Sequence, residues 1–358
     1  MIDVIFRADS SNKIGSGHIM RCLTLADSLA GKGCLISFIC RRLPSNMTEY
    51  IRGKGYRVHT LDYDDCIDKP WYADALATIR YLQTVNKFAK YLIVDHYGLD
   101  SRWENLLRPY AKCIMVIDDL ANRPHQCDVL LDQNYYKDFE KRYDNLIPPT
   151  CVKLLGPKYA LLRPQFHEAR RMLRQRDGIV KRVLIFFGGS DPTNETEKAL
   201  KAVRILNCPD VRFDVVVGSS NSGKEVIKQM CDDIPNMMFY CQVENMAELM
   251  AKADLAIGAG GTATWERCYL GLPTISIVTA DNQQKIIRDL GRLGVVIGLG
   301  RSEEVSVVMI RDTLKQVIEN HDLVNELSQK SFLLMDGHRE DFISTVLTGG
   351  TNVQSKEQ

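Results

Sequence analysis

Residues Leu255–Glu266 read LAIGAGGTATWE and join a short apolar run, a glycine-rich turn and the beginning of a helical pattern. The run Leu255–Ile257 contains no polar residue, as is typical of a strand buried on both faces of a parallel sheet. The glycines of the turn let the backbone pass tightly from strand to helix. This combination of strand, turn and helix predicts an α/β fold built on a parallel sheet.

The same alternation of apolar runs and helical patterns extends over most of the 358 residues. The strands predicted in the first half are Asp3–Phe6, Leu35–Cys40, Tyr56–Leu61, Tyr91–Val94, Cys113–Ile117 and Val129–Leu131. Those predicted in the second half are Arg182–Phe187, Phe213–Val217, Met238–Gln242, Leu255–Ile257, Thr274–Val278 and Val295–Ile297. Helical patterns such as Ile19–Lys32 and Thr193–Leu206 separate them. Because the series runs twice, we expect two doubly wound, Rossmann-like domains that face each other across a cleft.

A segment rich in proline and charge, residues 148–177, lies between the two series. We therefore predict an N-terminal domain over residues 1–165 and a C-terminal domain over residues 178–347. Residues 348–358 are expected to form a disordered tail, as chain termini often do.

The composition limits the class of partner. With 46 Lys and Arg against 45 Asp and Glu, the net charge is +1, which argues against nucleic acid as a partner. No apolar stretch approaches the ~18 residues needed to cross a bilayer, and the N-terminus lacks the basic flank and long apolar core of a signal peptide. We expect a soluble, cytoplasmic monomer with no membrane partner.

The spacing of cysteine and histidine argues against a metal site and a disulfide framework. The eleven cysteines contain no Cys-x-x-Cys pair, and the seven histidines form neither His-x-His nor His-Glu-x-x-His. We therefore expect reduced thiols, no bound metal and no cofactor.

The turn after the first predicted strand carries Gly15-Ser16-Gly17-His18 and leads into a helix that contains Arg21. Free N–H groups and the helix dipole favour an anion at such a turn. Met20 occupies the place of the third glycine of the dinucleotide fingerprint, which disfavours a nicotinamide cofactor. His18 has the titration range of a general base near neutral pH. A histidine that only caps the helix or contacts a backbone carbonyl is the alternative.

The turn at residues 258–266 has three glycines and two threonines before a helix, which favours a phosphate-binding cradle. Glu266 lies one turn into that helix, where a carboxylate can accept two hydrogen bonds from a ribose diol. The alternative is a tight structural turn whose glutamate only complements the helix dipole. Val243–Met246 is placed to offer backbone groups to a base, and Asp281–Gln283 opens the next helix towards the same cleft.

Three further signals are weaker. Asp62–Asp65 resembles an Asp-x-Asp metal motif, but we expect a solvated turn. Asp118-Asp119 follows a predicted strand, and a helix cap and a substrate role both stay open. Gly188–Pro192 is another glycine turn before a helix, and we expect it to line the cleft.

Taken together, these segments resemble a known family, the UDP-2,4-diacetamido-2,4,6-trideoxy-β-L-altropyranose hydrolases of bacterial pseudaminic acid biosynthesis. The similarity covers nearly the whole chain in order, and the Gly-Ser-Gly-His-Ile-Met-Arg-Cys element is its most specific part. The matching stretches are Arg7-x-Asp9, Ile14–Cys22, Val94–Tyr97, Ile117–Asp119, Leu130–Asn134, Gly156–Pro164, Phe187–Asp191 and Gly258–Glu266.

The resemblance implies a two-domain GT-B fold and hydrolysis of a UDP-sugar without a metal. In that family the activity releases UDP and free sugar, with inversion at the anomeric carbon. The catalytic residues it implies are His18 as the base, with Tyr97 and Asn282 holding sugar and water. UDP binding is assigned to Met246, Gly260, Gly261, Thr262 and Glu266. Sugar or substrate binding is assigned to Asp9, Gly15, Gly17, Arg21, Asp95 and Arg163.

Three rival functions share the predicted fold or the predicted nucleotide site. A GT-B glycosyltransferase passes the sugar to an acceptor hydroxyl, and a hydrolysing UDP-N-acetylglucosamine 2-epimerase gives a different sugar product. A nucleotide-sugar sensor needs the Glu266 turn but has no use for a base at position 18. UDP release with water as the only acceptor, together with analysis of the sugar, separates these functions.

Overall fold

The computed structural model of the protein describes residues 2–11, 14–62, 68–85, 88–339 and 341–349. The chain divides into two compact units. With those gaps, the first unit comprises residues 2–134, 138–161 and 339–349, and the second comprises residues 135–137 and 162–338. Each unit has a parallel sheet and an apolar core of its own.

The first unit contains a sheet of seven parallel strands in its described residues. The strands are β1 (Ile2–Ala8), β2 (Cys34–Arg41), β3 (Arg57–Leu61), β4 (Ala89–Asp95), β5 (Ala111–Ile117), β6 (Val129–Asp132) and β7 (Val152–Leu155). The helices are α1 (Gly17–Gly31), α2 (Thr48–Gly53), α3 (Pro70–Thr84) and α4 (Ser101–Leu107), with short 3-10 turns at Arg108–Tyr110, Phe139–Lys141 and Pro157–Tyr159. The strand order is β3-β2-β1-β4-β5-β6-β7.

Helices cover both faces of this sheet, which is why its apolar strands do not alternate with polar residues. One face packs against α1 through side chains such as Ile19 and Leu23. The opposite face packs against α3 and α4 through Leu82 and Trp103. The strand order reverses between β1 and β4, and ligands of doubly wound folds bind beyond the carboxyl ends of the strands at such a point.

The second unit repeats this plan with six parallel strands in the order β10-β9-β8-β11-β12-β13. The strands are β8 (Arg182–Phe186), β9 (Arg212–Val217), β10 (Met237–Cys241), β11 (Leu255–Ala259), β12 (Thr274–Val278) and β13 (Ile297–Arg301). The helices are α5 (Pro164–Arg171), α6 (Glu195–Leu206), α7 (Lys224–Asp232), α8 (Met246–Lys252), α9 (Ala263–Tyr269), α10 (Asp281–Leu293), α11 (Val307–Ile318) and α12 (His321–Leu334). Its point of reversal lies between β8 and β11.

The predicted α/β class with two doubly wound sheets is confirmed, whereas two strand assignments differ. Strand β7 was not predicted, because its four residues lie close to prolines and Lys153 faces solvent at the edge of the sheet. The predicted strand Val295–Ile297 is wrong except for its last residue. Gly294 has a φ of 71° and Val295 donates its N–H to the carbonyl of Leu290 at 3.0 Å, so the buried valine completes the C-cap of α10.

The last helix differs from the predicted domain assignment. Helix α13 (Phe342–Thr348) groups with the first unit, although the sequence had placed residues up to 347 in the second domain. Ser28 on α1 lies 2.8 Å from Ser344, and the Tyr91 hydroxyl donates to the carbonyl of Leu347. An amphipathic pattern does not tell which sheet a helix covers, so sequence alone could not make this assignment. Of the predicted tail, residues 350–358 lie outside the described residues.

Among the helices that the structure describes, none combines the length and the apolar character that a membrane crossing requires. That finding agrees with the hydropathy of the sequence.

Candidate active site

His18 occupies the first turn of α1, directly after the loop that leaves β1. Asp95 is the last residue of the neighbouring strand β4, and its backbone pairs with Ala8 at the end of β1. The two side chains therefore meet beyond the carboxyl ends of the central strands, where Nδ1 of His18 lies 2.5 Å from Oδ1 of Asp95. The sequence predicted a base at position 18 but assigned Asp95 to the sugar.

Arg21 lies one turn after His18 and holds the same carboxylate. Its Nε is 2.6 Å from Oδ2 of Asp95 and its Nη2 is 2.6 Å from Oδ1. Burial opposes ionisation of Asp95, but Arg21 and His18 outweigh it and hold the pKa of Asp95 well below its usual range. Asp95 is therefore a fixed negative charge beside the imidazole, and Arg21, only 4% exposed, orients that charge.

Asp119 and Tyr97 complete this group, which we call the imidazole centre (His18, Arg21, Asp95, Tyr97 and Asp119). Asp119 accepts from Nη1 of Arg21 at 2.9 Å and from the Tyr97 hydroxyl at 2.7 Å. The Tyr97 and His18 rings form a T-shaped pair with a centroid distance of 4.6 Å. Burial and the Asp119 charge raise the pKa of Tyr97, so its hydroxyl stays protonated.

The chemistry of the imidazole centre follows from which ring nitrogen is occupied. An ionised Asp95 is only an acceptor, so Nδ1 of His18 carries the proton of their hydrogen bond. In the neutral ring, Nε2 then holds the lone pair, and it makes no hydrogen bond to a described residue. A carboxylate on Nδ1 fixes the tautomer and stabilises the imidazolium once Nε2 takes a proton. This arrangement suits a general base.

Asp9 has a different environment from the one that the sequence predicted. Its carboxylate accepts from Nη1 of the fully buried Arg7 at 2.5 Å and from the backbone N–H of Arg41 at 2.8 Å, and Nε2 of His96 lies 3.2 Å away. Asp9 is 2% exposed and both of its oxygens have protein partners, so it joins neighbouring segments of the fold, and its predicted sugar contact stays a prediction. Through this contact, His96 joins the loop after β4 to the loop after β1.

Gly15 and Gly17 lie in the turn between β1 and α1 and contribute to its backbone conformation. Gly15 has a φ of 81°, a conformation that favours glycine, and donates its N–H to the carbonyl of Ser11 at 2.8 Å. Gly17 is the first residue of α1. The predicted contacts of these two glycines and of Arg21 with sugar stay predictions.

A second polar group lies at the ends of β5 and β6. Asp118 caps no helix; it accepts from the N–H of Ala121 at 2.8 Å and from the Tyr143 hydroxyl at 3.0 Å. The same hydroxyl lies 3.1 Å from Oδ2 of Asp132, and Nδ2 of Asn134 lies 2.7 Å from Asp119. Burial and the charge of Asp119 raise the pKa of Asp132 to about 7. The helix-cap alternative for the Asp118-Asp119 pair is therefore wrong.

This raised pKa predicts a pH-dependent difference between the protein and its Asp132→Asn variant. The folded pKa lies above the ordinary value of about 3.9, so ionisation of Asp132 destabilises the fold by about 1.4 kcal/mol for each unit of the rise. We expect the variant to gain stability relative to the wild type as the pH rises from 5 to 8. Urea unfolding at both pH values measures this gain. Asp144→Asn, at an exposed ion pair with Lys153, is the matched control. An equal difference at both pH values contradicts the assignment.

In the second unit, Gly260, Gly261 and Thr262 form the turn between β11 and α9. A Cβ on Gly260 would lie 2.4 Å from Cγ1 of Ile287, so close packing requires glycine there. The N–H groups of Gly261, Thr262 and Ala263 donate no hydrogen bond within the described residues. Three adjacent donors at a helix start are the arrangement that binds phosphate.

Gln283 supports this turn, a role that the sequence did not reveal. Its Oε1 accepts from the N–H of Gly260 at 3.2 Å and from the N–H of Thr279 at 3.0 Å. It thereby joins the turn after β11 to the loop after β12. The N–H of Gly260 is therefore used within the fold. That this turn binds phosphate stays a prediction, for which the N–H groups after Gly260 are the available donors.

The other predicted site residues of the second unit, two for UDP and Asn282 for catalysis, also follow strand ends. Met246 is buried at the start of α8, and Asn282 is half-buried in the first turn of α10. Glu266 lies in α9 and pairs with Arg163, whose Nη2 is 2.9 Å from Oε1 of the carboxylate. In the Gly188–Pro192 turn, both oxygens of Asp191 accept N–H groups at the start of α6, which gives this turn a capping role.

The prediction that the protein binds no metal stays a prediction. Among the described residues there is no group of three His, Cys, Asp or Glu side chains that could hold a metal ion. Of the Asp62–Asp65 motif, only Asp62 is described; it pairs with Arg42 at 2.9 Å. Residues 63–65 lie outside the described residues.

Comparisons with known proteins show what the chain is similar to. Residues 183–327 match the family model of the glycosyltransferase family 28 C-terminal domain. The UDP-2,4-diacetamido-2,4,6-trideoxy-beta-L-altropyranose hydrolase of Campylobacter jejuni subsp. jejuni serotype O:2 is 26% identical over 294 residues, which cover 81% of this chain and 97% of that protein. The spore coat polysaccharide biosynthesis protein SpsG of Bacillus subtilis is 23% identical over 332 residues, or 92% of this chain and 93% of that protein.

A solved structure decides the fold. MurG of Acinetobacter baumannii matches with a TM-score of 0.64 at 14% identity, over 97% of this chain and 98% of that chain. The fold is that of the GT-B glycosyltransferases. The fold prediction is thereby confirmed; that the two domains face each other across a cleft stays a prediction.

Proposed function

We propose that the protein hydrolyses a UDP-linked diacetamido-trideoxy sugar to UDP and free sugar. The observation that carries the proposal is the bond between Nδ1 of His18 and Asp95, which leaves Nε2 of the ring as a base. In hydrolysis, such a base removes a proton from the water molecule that attacks the substrate. The GT-B fold and the similarity to the Campylobacter hydrolase support the choice of a nucleotide sugar.

In the proposed mechanism, Nε2 of His18 removes a proton from a water molecule as its oxygen attacks the anomeric carbon. The new C–O bond forms opposite UDP, and the bond from that carbon to the phosphate oxygen breaks with its electron pair on UDP. The configuration at the carbon is therefore inverted. Asp95 stabilises the imidazolium that results, and Tyr97 and Asn282 hold the sugar and the water. No step needs a metal, because UDP is a good leaving group.

We further propose that the second unit binds the UDP moiety. The free N–H groups of Gly261, Thr262 and Ala263 suit a diphosphate, and a charged acceptor strengthens such hydrogen bonds. Glu266 accepts the ribose hydroxyls, and the backbone at Met246 faces the base. The identity of the sugar rests on the similarity to the Campylobacter hydrolase, since these residues select only the nucleotide.

Transfer of the sugar to an acceptor hydroxyl is the second candidate, which the match to the glycosyltransferase family 28 domain favours. Incubating the purified protein with a panel of UDP-sugars in water, and following UDP by chromatography, tests the choice. We expect UDP release from the diacetamido-trideoxy substrate with no acceptor added. Release that requires an added acceptor supports the transferase and contradicts hydrolysis. A product in which UDP-N-acetylglucosamine has lost UDP and changed configuration at C2 indicates the epimerase.

A further inference from the structure

Helix α5 and the residue before it contact helix α9 in the second unit. His167 and Arg170 follow Arg163 at helical spacing, and all three contact residues of α9. Nδ1 of His167 lies 2.9 Å from the Tyr269 hydroxyl, and Arg170 donates to the carbonyl of Tyr269. Arg163 precedes the first residue of α5 and reaches Glu266.

The contact between Arg163 and Glu266 uses only one oxygen of the carboxylate. Nε and Nη2 of Arg163 lie 3.2 and 2.9 Å from Oε1, which occupies the acceptor capacity of that atom. Oε2 makes no hydrogen bond within the described residues. The guanidinium lies over the ring of the fully buried Phe166, at 5.1 Å from its centroid, and this contact limits its movement.

We propose that Arg163 is a positioning residue that turns Glu266 so that its Oε2 alone receives the ribose diol. This inference rests on the proposed function, and it replaces the direct contact with the substrate that the sequence assigned to Arg163. A carboxylate oxygen has two lone pairs, so Oε2 can accept from both the 2′- and the 3′-hydroxyl. Without Arg163, the carboxylate rotates freely and both hydroxyls lose part of a charge-assisted interaction.

The preference for ribose over deoxyribose tests this role. We propose to measure the Kd of UDP and of 2′-deoxy-UDP by calorimetry for the full-length protein and its variants. A hydrogen bond to a charged group contributes about 1.5–3 kcal/mol, so the wild type should prefer UDP by about 10- to 100-fold. Arg163→Met and Glu266→Gln should each lose most of this preference, and the double variant should lose no more. Arg163→Lys, which keeps the charge but not the planar fork, should be intermediate.

Arg171→Met is the matched control, because Arg171 is exposed on the same helix and, within the part of the chain that the structure describes, donates only to the carbonyl of His167. It should keep the wild-type preference. A purely structural loss at Arg163 lowers the affinity for both nucleotides equally and leaves their ratio unchanged. The inference is therefore overturned if Arg163→Met keeps the ratio that Glu266→Gln abolishes. Failure of the wild type to bind UDP at all overturns the proposed function instead.

Discussion

Replacement of His18 by asparagine lowers kcat by about 10²–10⁴-fold, the usual contribution of a general base. Asparagine retains a donor that can reach Asp95, so the imidazole centre keeps its charges while the proton acceptor at Nε2 is lost. Affinity for UDP should persist, because the residues proposed to bind it belong to the second unit. Steady-state turnover and UDP calorimetry on the same preparation measure both effects.

A second histidine of the first unit provides the control. His59 lies on β3 and stacks on Tyr81 at a centroid distance of 3.9 Å, away from the imidazole centre. His59→Asn should leave kcat within a few-fold of the wild-type value. If His18→Asn also turns over at a near-normal rate, His18 is not the base and the mechanism proposed above is wrong.

Asp95→Asn should have an effect of similar size for a different reason. The amide can donate where the carboxylate only accepted, so His18 loses the partner that fixes its tautomer and stabilises its imidazolium. We expect kcat to fall by about 10²–10⁴-fold. Removal of one partner from a buried ion pair also costs about 3–5 kcal/mol, because Arg21 remains charged and buried. Turnover must therefore be measured beside denaturant unfolding.

A control at another aspartate separates positioning from loss of structure. Asp100→Asn, at the N-cap of α4, keeps a residue type that suits a cap and should leave kcat unchanged. If Asp95→Asn keeps a near-normal kcat in the fraction that remains folded, the role assigned to Asp95 is wrong.

Much of the fold follows from local sequence. Apolar runs such as Tyr91–Val94 predict central strands because burial on both faces leaves no place for polar residues. The edge strand β7 has no such signal, since Lys153 faces solvent and prolines flank the strand. Val295 is equally apolar, but it follows the glycine that caps the C-terminus of α10 and belongs to that cap, not to a strand. Tertiary packing, which no local pattern contains, decides these cases.

The sequence predicts where the candidate site residues lie in the fold. It does not predict as well which other residues of the protein they contact. A glycine-rich helix start with a histidine marks His18, because strand ends in such sheets carry the chemistry. Asp9, Asp95 and Arg163 follow from matched motifs alone, and the structure gives each of them a protein partner. Those partners, Arg7, His18 and Glu266, lie two, 77 and 103 residues away in sequence. Pairings over the two longer separations depend on strand register and helix packing. The spacing of residues along the sequence therefore does not reveal them.

Hydrolysis in ¹⁸O-labelled water tests the central claim most directly. The purified protein is incubated with the UDP-linked diacetamido-trideoxy sugar and no acceptor, and both products are analysed by mass spectrometry and NMR. Attack of water at the anomeric carbon predicts one ¹⁸O atom on C1 of the free sugar, unlabelled UDP and an inverted first-formed anomer. Label on the terminal phosphate of UDP, or retention at the anomeric carbon, contradicts it.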